Sequence, residues 1–166
     1  MTAFSAAHHI ASGALAGAVG VWVLDRVDWA LYRAEPRETR ERTERVRPGG
    51  EDPAHVLAGR LERAAGREVS PDGHRKLGDI VHLGMGIAPG VLYALLRPRF
   101  AWLGLGRGSV FGLSLFLLQD EGLNAATGLS ARPQNYAPST HLRGLLAHLA
   151  YGLTLDAVLR VAERRR

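Results

Sequence analysis

Four apolar stretches carrying glycine at helical spacing constrain this chain more than any other feature. They run from Thr2 to Leu24, Ile80 to Leu96, Gly108 to Leu129 and Gly144 to Leu159. Crossing a bilayer as a helix takes about 20 mainly apolar residues, with a range of about 17 to 25. The first stretch has 23 residues and the second 17. The third contains Asp120 and Glu121, and the fourth His148 and Asp156, so these two cross only if acids are buried. Gly13 and Gly17, Gly86 and Gly90, and Gly104, Gly108 and Gly112 repeat a four-residue spacing, and Gly144 and Gly152 flank His148. Small residues four apart let helix backbones approach closely, which matters most where lipid removes the hydrophobic drive between helices. Glycine costs about 1 kcal/mol against alanine in a soluble helix. The 20 glycines therefore favour a membrane bundle.

The first stretch lacks a basic leading segment and a clean small-residue cleavage site, so it reads as a retained helix. Residues 33–76 are of another kind. They hold 11 of the 21 basic residues together with nine acids, so their net charge is only +2. Glu38/Arg42 and Glu41/Arg45 stand at i,i+4 spacing. Pro48-Gly49-Gly50 breaks that helix, and Asp52-Pro53 starts another as N-cap and first helical residue. Val56, Leu57 and Leu61 with Ala64 or Ala65 would form its apolar face, suited to lying on a membrane surface. The mixed charge and absent aromatics argue against a nucleic-acid partner. The mean hydropathy of −0.05 thus averages two unlike parts.

The expected fold is all-α: a four-helix transmembrane bundle with a helical, Arg/Glu-rich insertion between spans one and two. The chain forms one membrane domain over 1–166, with spans at about 7–31, 78–97, 105–128 and 141–161 and the extramembrane insertion at 33–76. No Lys or Arg precedes the first span, whereas Arg26, Arg33, Arg37 and Arg40 follow closely. The positive-inside rule then puts the Arg-rich loop in the cytoplasm and both termini outside. Arg97, Arg99, Arg107 and the Arg164-Arg165-Arg166 tail count against that orientation. Trp22, Trp29, Tyr32 and Trp102 fall near span ends, as interfacial anchors do. The partners implied are the lipid bilayer and, through the GxxxG faces, a second copy or another membrane subunit.

Each span also carries a titratable group at one level. At about 1.5 Å per residue, Asp25, Asp28, His82, Asp120, Glu121 and His148 lie roughly 6 to 12 Å from the Arg-rich end, with His141 at the boundary. His141 and His148 are seven apart on one helix face, and Asp79 and His82 are three apart. Asp120 and Glu121 are adjacent, about 100° apart on an α-helix, so only one should face the bundle centre squarely. Pro89 should kink the second span just beyond His82. Asp156 lies toward the opposite end, with Arg160 as its partner four residues on.

Three chemical readings fit this cluster. One is a network of ion pairs, with Arg26 or Arg143 neutralising the acids. Another is a proton-handling or ion-conducting site, as in a proton or metal-ion transporter or channel. The third is a metal or b-type haem site on His82 and His148, or a quinone site, in a partner of a redox enzyme. Zero cysteines exclude thiolate zinc, iron–sulfur clusters, covalent haem and a cysteine nucleophile. Catalysis is not expected: Ser109 and Ser114 have no base at close spacing, and no GxSxG elbow exists. The Gly104-to-Gly108 GxGxG lacks the strand–turn–helix setting of a nucleotide motif.

The strings GALAGAVGVWVLDRVDW (Gly13 to Trp29), RPGGEDPAHVLA (Arg47 to Ala58), HLGMGIAPGVLYALLR (His82 to Arg97), QDEGL (Gln119 to Leu123) and HLRGLLAHLAYG (His141 to Gly152) resemble the YagU-like bacterial inner-membrane proteins of unknown function. The resemblance implies a small, multi-pass inner-membrane protein and assigns no reaction and no catalytic residue; the expected role is that of an accessory or stress-related membrane protein built around the buried His/carboxylate cluster.

Overall fold

The computed structural model describes residues 3–164. Arg165 and Arg166 of the basic tail lie outside the described residues. The described residues form no strand. Helix α1 spans Ala3–Ala34, α2 Arg37–Val46, α3 Pro53–Ala64, α4 Pro71–Leu96, α5 Ser109–Leu115 and α6 Pro138–Arg164. The third apolar stretch is not one regular helix. A 3-10 segment at Ala101–Gly108 leads into α5, which widens into a π-helix at Phe116–Asn124.

Four helical runs are long and apolar enough to cross a membrane: Ala6–Ala34, Pro71–Leu96, Ala101–Asn124 and Pro138–Arg164. No more than 39% of the most apolar window of any of them is buried inside the protein. Ile10, Leu15, Trp22, Ile80, Leu83, Leu92, Leu117, Leu118 and Leu153 all stand exposed on the outside. So much large apolar surface would be untenable in water, and lipid is the solvent it fits. The protein is an integral membrane protein built as a four-helix bundle.

Helix α1 packs along α4 on one side and α6 on the other, and the third span packs on α6. Helix α4 meets the third span chiefly through Tyr93, whose ring packs on Phe111 with centroids 4.8 Å apart. Glycine sets the two closest crossings. A Cβ on Gly17 would lie 2.8 Å from the Ile87 Cα, and one on Gly90 would lie 2.6 Å from the Gly17 Cα. On the other side of the bundle, Gly108 and Gly112 meet the backbone of Gly152 and His148. Gly20 makes room for the Tyr151 ring. The glycine faces expected to receive a second copy are thus engaged within one chain.

These contacts lie in the half of the bundle nearer the termini. There Ala16, Val21, Tyr93, Ala94, Leu103, Phe111, Tyr151, Leu155 and Leu159 form the buried core. At the same end Asp156 is 1% exposed and fully paired: it accepts from Tyr93 Oη at 3.0 Å, Arg97 Nη1 at 2.9 Å and Arg160 Nε at 2.5 Å. Pro89 sits inside α4 without ending it. It removes the donor that would serve the Met85 carbonyl. Tyr151 donates to the next carbonyl, Gly86, at 2.5 Å.

The insertion folds over the opposite end. Asp52 caps α3, accepting from the Ala54 and His55 N–H groups. The buried face of α3 is Ala54, Ala58 and Gly59, packed on α4, while Leu61 is exposed. Small residues go inward because α3 lies tight against α4, and the Leu61 end of the expected apolar face is left exposed. The His55 ring rests on Gly78, where any side chain would collide with it. Arg60 donates to the carbonyls of Thr127 and Gly128, both at 2.7 Å, and so closes the end of the third span. Arg42 donates to the carbonyls of Asn135 and Tyr136.

Replacing Gly90 by alanine should push α4 off α1 and cost about 1 to 3 kcal/mol, read as a lower unfolding temperature in detergent. A methyl group at Gly84 would meet no atom within 4 Å, so Gly84→Ala should leave that temperature unchanged or raise it.

Candidate functional site

Between the insertion and the glycine crossings the four spans part around a cavity of about 690 Å³. Its floor is Val21, Gly86, Leu115 and Tyr151, the edge of the buried core. Its rim is the insertion, from Glu44, Arg47 and Gly50 to Asp52–His55, together with Ala131, Pro133 and Tyr136. It thus lies as a vestibule between the insertion and the packed core. Asp25, Asp28, His82, Asp120, Glu121, His141 and His148 all line it.

The side chains in it pair across helices. His82 Nε2 lies 2.9 Å from Asp25 Oδ1, joining α4 to α1. His141 Nδ1 lies 2.7 Å from Glu121 Oε1, joining α6 to the third span, and its Nε2 donates to the Pro133 carbonyl at 3.0 Å. His148 donates Nδ1–H to the Gly144 carbonyl at 2.9 Å, which leaves Asp120 Oδ2 3.7 Å away, beyond hydrogen-bond range. Asp120 instead accepts from Asn124 Nδ2 at 3.3 Å.

Arg143 is the cation at the centre. It is 5% exposed and lies over the Tyr32 ring. Its Nη1 donates to Glu35 Oε2 at 2.9 Å, and its Nε lies 2.9 Å from Asp28 Oδ1. That second contact is an ion pair by distance alone, because the Nε–H is not aimed well enough to count as a hydrogen bond. Glu35 Oε1 is likewise buried without a hydrogen-bond partner. Arg26 takes no part; it stacks on Trp22.

One expectation is corrected here. Asp120 and Glu121 both line the cavity, because the π-helical winding of Phe116–Asn124 turns less between neighbouring residues than an α-helix does. The histidines named for a metal or haem, His82 and His148, each have one ring nitrogen engaged within the protein. The Nε2 of His82 faces Asp25, and His148 has given its Nδ1–H to a carbonyl. Among the described residues no three His, Cys, Asp or Glu side chains converge as metal ligands.

Sequence reasoning passed over several residues that the structure brings to this site. Asp52 and His55 are 2.7 Å apart at the rim, and Arg47 and Glu44 lie beside them. His74 bridges Glu62 and Glu51, holding α4, α3 and the preceding turn together. The Asp52-Pro53-Ala-His55 spacing of a cap, with histidine at the third helical position, was the available signal. Burial pushes the Asp52 carboxyl up, but the His55 and Ala54 N–H groups and the His55 imidazole outweigh it, leaving the group below the usual aspartate range. Ser109 and Ser114 donate to the carbonyls of Gly106 and Val110, within their own chain segment.

A depressed folded-state value means that Asp52 stabilises fully above its unfolded-state titration, and that this is lost as pH falls through the folded value. Asp52→Ala should therefore cost about 1 kcal/mol at neutral pH, and the gap in unfolding temperature to the native chain should shrink as acid is added. A gap that stays constant into strong acid would contradict this assignment. No protein family, curated protein or solved structure matches this chain.

Proposed function

We propose that this integral membrane protein binds a small organic cation in its cavity, as an accessory protein rather than an enzyme or an open channel. The observation that carries the reading is the charge of the walls. Seven carboxylates line the cavity (Asp25, Asp28, Glu44, Asp52, Asp79, Asp120 and Glu121) against two guanidiniums, Arg47 and Arg143. Such a concentration of one sign in a low-dielectric surround attracts the opposite charge. Trp29, Tyr32, Phe116, Tyr136 and Tyr151 add aromatic surface on which a cation is also favoured. The volume of 690 Å³ falls within the roughly 300 to 1,000 Å³ of small-molecule sites. The absence of converging metal ligands among the described residues favours an organic cation over a metal ion. The packed floor favours binding over conduction.

Membership of the YagU-like group, residence in a bacterial inner membrane and a stress-related role belong to the same proposal. They are supported by the quoted strings and by the fourfold apolar pattern. The Arg-rich insertion is placed in the cytoplasm on the strength of its 11 basic residues, with none before the first span.

Tetraphenylphosphonium and tetraphenylborate are matched in shape and opposite in charge. Calorimetry on the detergent-purified protein, against empty micelles, should show binding of the cation and not of the anion. Asp25→Asn with Asp120→Asn should weaken the cation at least about tenfold, equivalent to about 1.4 kcal/mol. Equal binding of both ions, or no effect of the double variant, would overturn the reading.

Orientation is checked separately. Green fluorescent protein inserted at Gly49-Gly50 should fluoresce, and alkaline phosphatase fused after Arg166 should be active; the opposite pattern would reverse the topology.

A further inference from the structure

The histidines of the cavity differ in how many protons their contacts demand. A carbonyl oxygen only accepts, so a ring nitrogen against a carbonyl carries hydrogen. One N–H is enough for the contacts of His148, whose Nδ1 faces a carbonyl, and of His82, whose Nε2 faces Asp25. His141 is different. Its Nε2 must carry hydrogen for the Pro133 carbonyl, so a neutral ring would turn a bare Nδ1 toward Glu121 Oε1 at 2.7 Å. Two acceptors cannot meet at that distance. One additional proton therefore lies between them, as imidazolium with carboxylate or as imidazole with carboxylic acid, and it belongs to the pair.

Around this pair the cavity presents Asp120 from the third span, Tyr136 from the following loop, Arg143 with Asp28 from α6 and α1, and Arg47 from the insertion. Asp120 is the next residue to Glu121 and has no ion-pair partner within hydrogen-bond range, so it is the carboxylate best placed to receive a ligand's charge. A cation seated on Asp120 puts a second positive charge beside the stored proton, and like charges disfavour one another most where water is scarce.

We infer that the Glu121–His141 pair stores one proton, which a bound organic cation expels to water through the mouth of the vestibule, so that the cavity exchanges cation for proton. The inference rests on the cation-binding reading above. In the exchange no bond other than the one to that proton breaks. The pair is left as a carboxylate and an imidazole that keeps its Nε2–H, which must then move apart from the 2.7 Å contact they make with the proton between them, and the cation supplies the positive charge that the proton held. By linkage, acid should weaken cation binding to the same extent that the cation drives the proton off.

Two measurements test this. The first is tetraphenylphosphonium titration at neutral pH in buffers of different ionisation enthalpy. It should show about one proton released per cation bound in the native chain and close to none in either variant: Glu121→Gln, which removes one of the lining carboxylates, should bind the cation more weakly, and His141→Gln, which leaves Glu121 a carboxylate, should still bind it. Binding without proton release, or release unchanged in both variants, overturns the exchange while leaving the cation site intact. Failure of the cation to bind sinks both. The second needs no ligand: imidazole ¹⁵N and carboxyl ¹³C resonances of the purified protein. His141 and Glu121 together should show the extra proton, as an imidazolium or a protonated carboxyl. A neutral His141 beside an ionised Glu121 overturns the stored proton outright.

Discussion

Backbone contact between glycines in the half of the bundle nearer the termini is the constraint from which the rest follows. Lipid offers helices no hydrophobic reason to associate, so they are held by close packing and polar contacts. Where Gly17 meets Ile87 and Gly90, and where Gly108 and Gly112 meet Gly152 and His148, nothing but backbone separates the spans. Toward the insertion the same helices carry Asp25, His82, Glu121 and His141, whose side chains join them across the cavity. Helices pinned closely at one end and spaced by side chains at the other must diverge. The vestibule is the space that divergence leaves, and its floor is where glycine contact gives way to side chains.

The two ends of the bundle treat their charges differently. At the closed end Asp156 is 1% exposed and takes three donors, from Tyr93, Arg97 and Arg160. A buried carboxylate so satisfied is part of the packing and offers a ligand nothing. At the open end the balance is unsettled. Arg143 serves two acids with an imperfect contact to one of them, Glu35 Oε1 has no hydrogen-bond partner, and Asp120 lies beyond reach of His148. Buried polar groups left short of partners in a native structure mark places where something else completes the arrangement.

Much of this was legible in the sequence because it depends on spacing along single helices. The four spans, the glycine repeats, the Asp52-Pro53 cap and the common depth of the polar residues each follow from residues a few positions apart. What depends on two helices at once was not. The sequence cannot say which nitrogen of His82 meets Asp25, or that His148 turns its Nδ1–H to the Gly144 carbonyl. Nor does it announce that Phe116–Asn124 winds as a π-helix, and an α-helical wheel therefore sends one of Asp120 and Glu121 away from the centre. In α3 the inward face is Ala54, Ala58 and Gly59, which the apolar stripe through Leu61 does not announce. Hydrophobicity ranks what prefers burial, whereas closeness to α4 decides what fits.

The insertion's composition makes sense once the vestibule is in view. A loop needed only to connect two spans could be short. This one is a run of Arg and Glu whose charges reach specific groups at the ends of other elements. Arg60 closes the carbonyl end of the third span, Arg42 holds the loop before α6, His74 ties α3 to α4, and Glu44 accepts from Tyr32 of α1. The last carbonyls of a helix have no partners within it, and guanidinium donors with several N–H groups are suited to supplying them. Mixed sign follows from the same duty, since acids are needed for histidine and tyrosine donors as bases are for carbonyls. The insertion is therefore the fourth side of the cavity as well as a link between spans: it fixes how far the spans can part and supplies Asp52, His55 and Arg47 to the entrance.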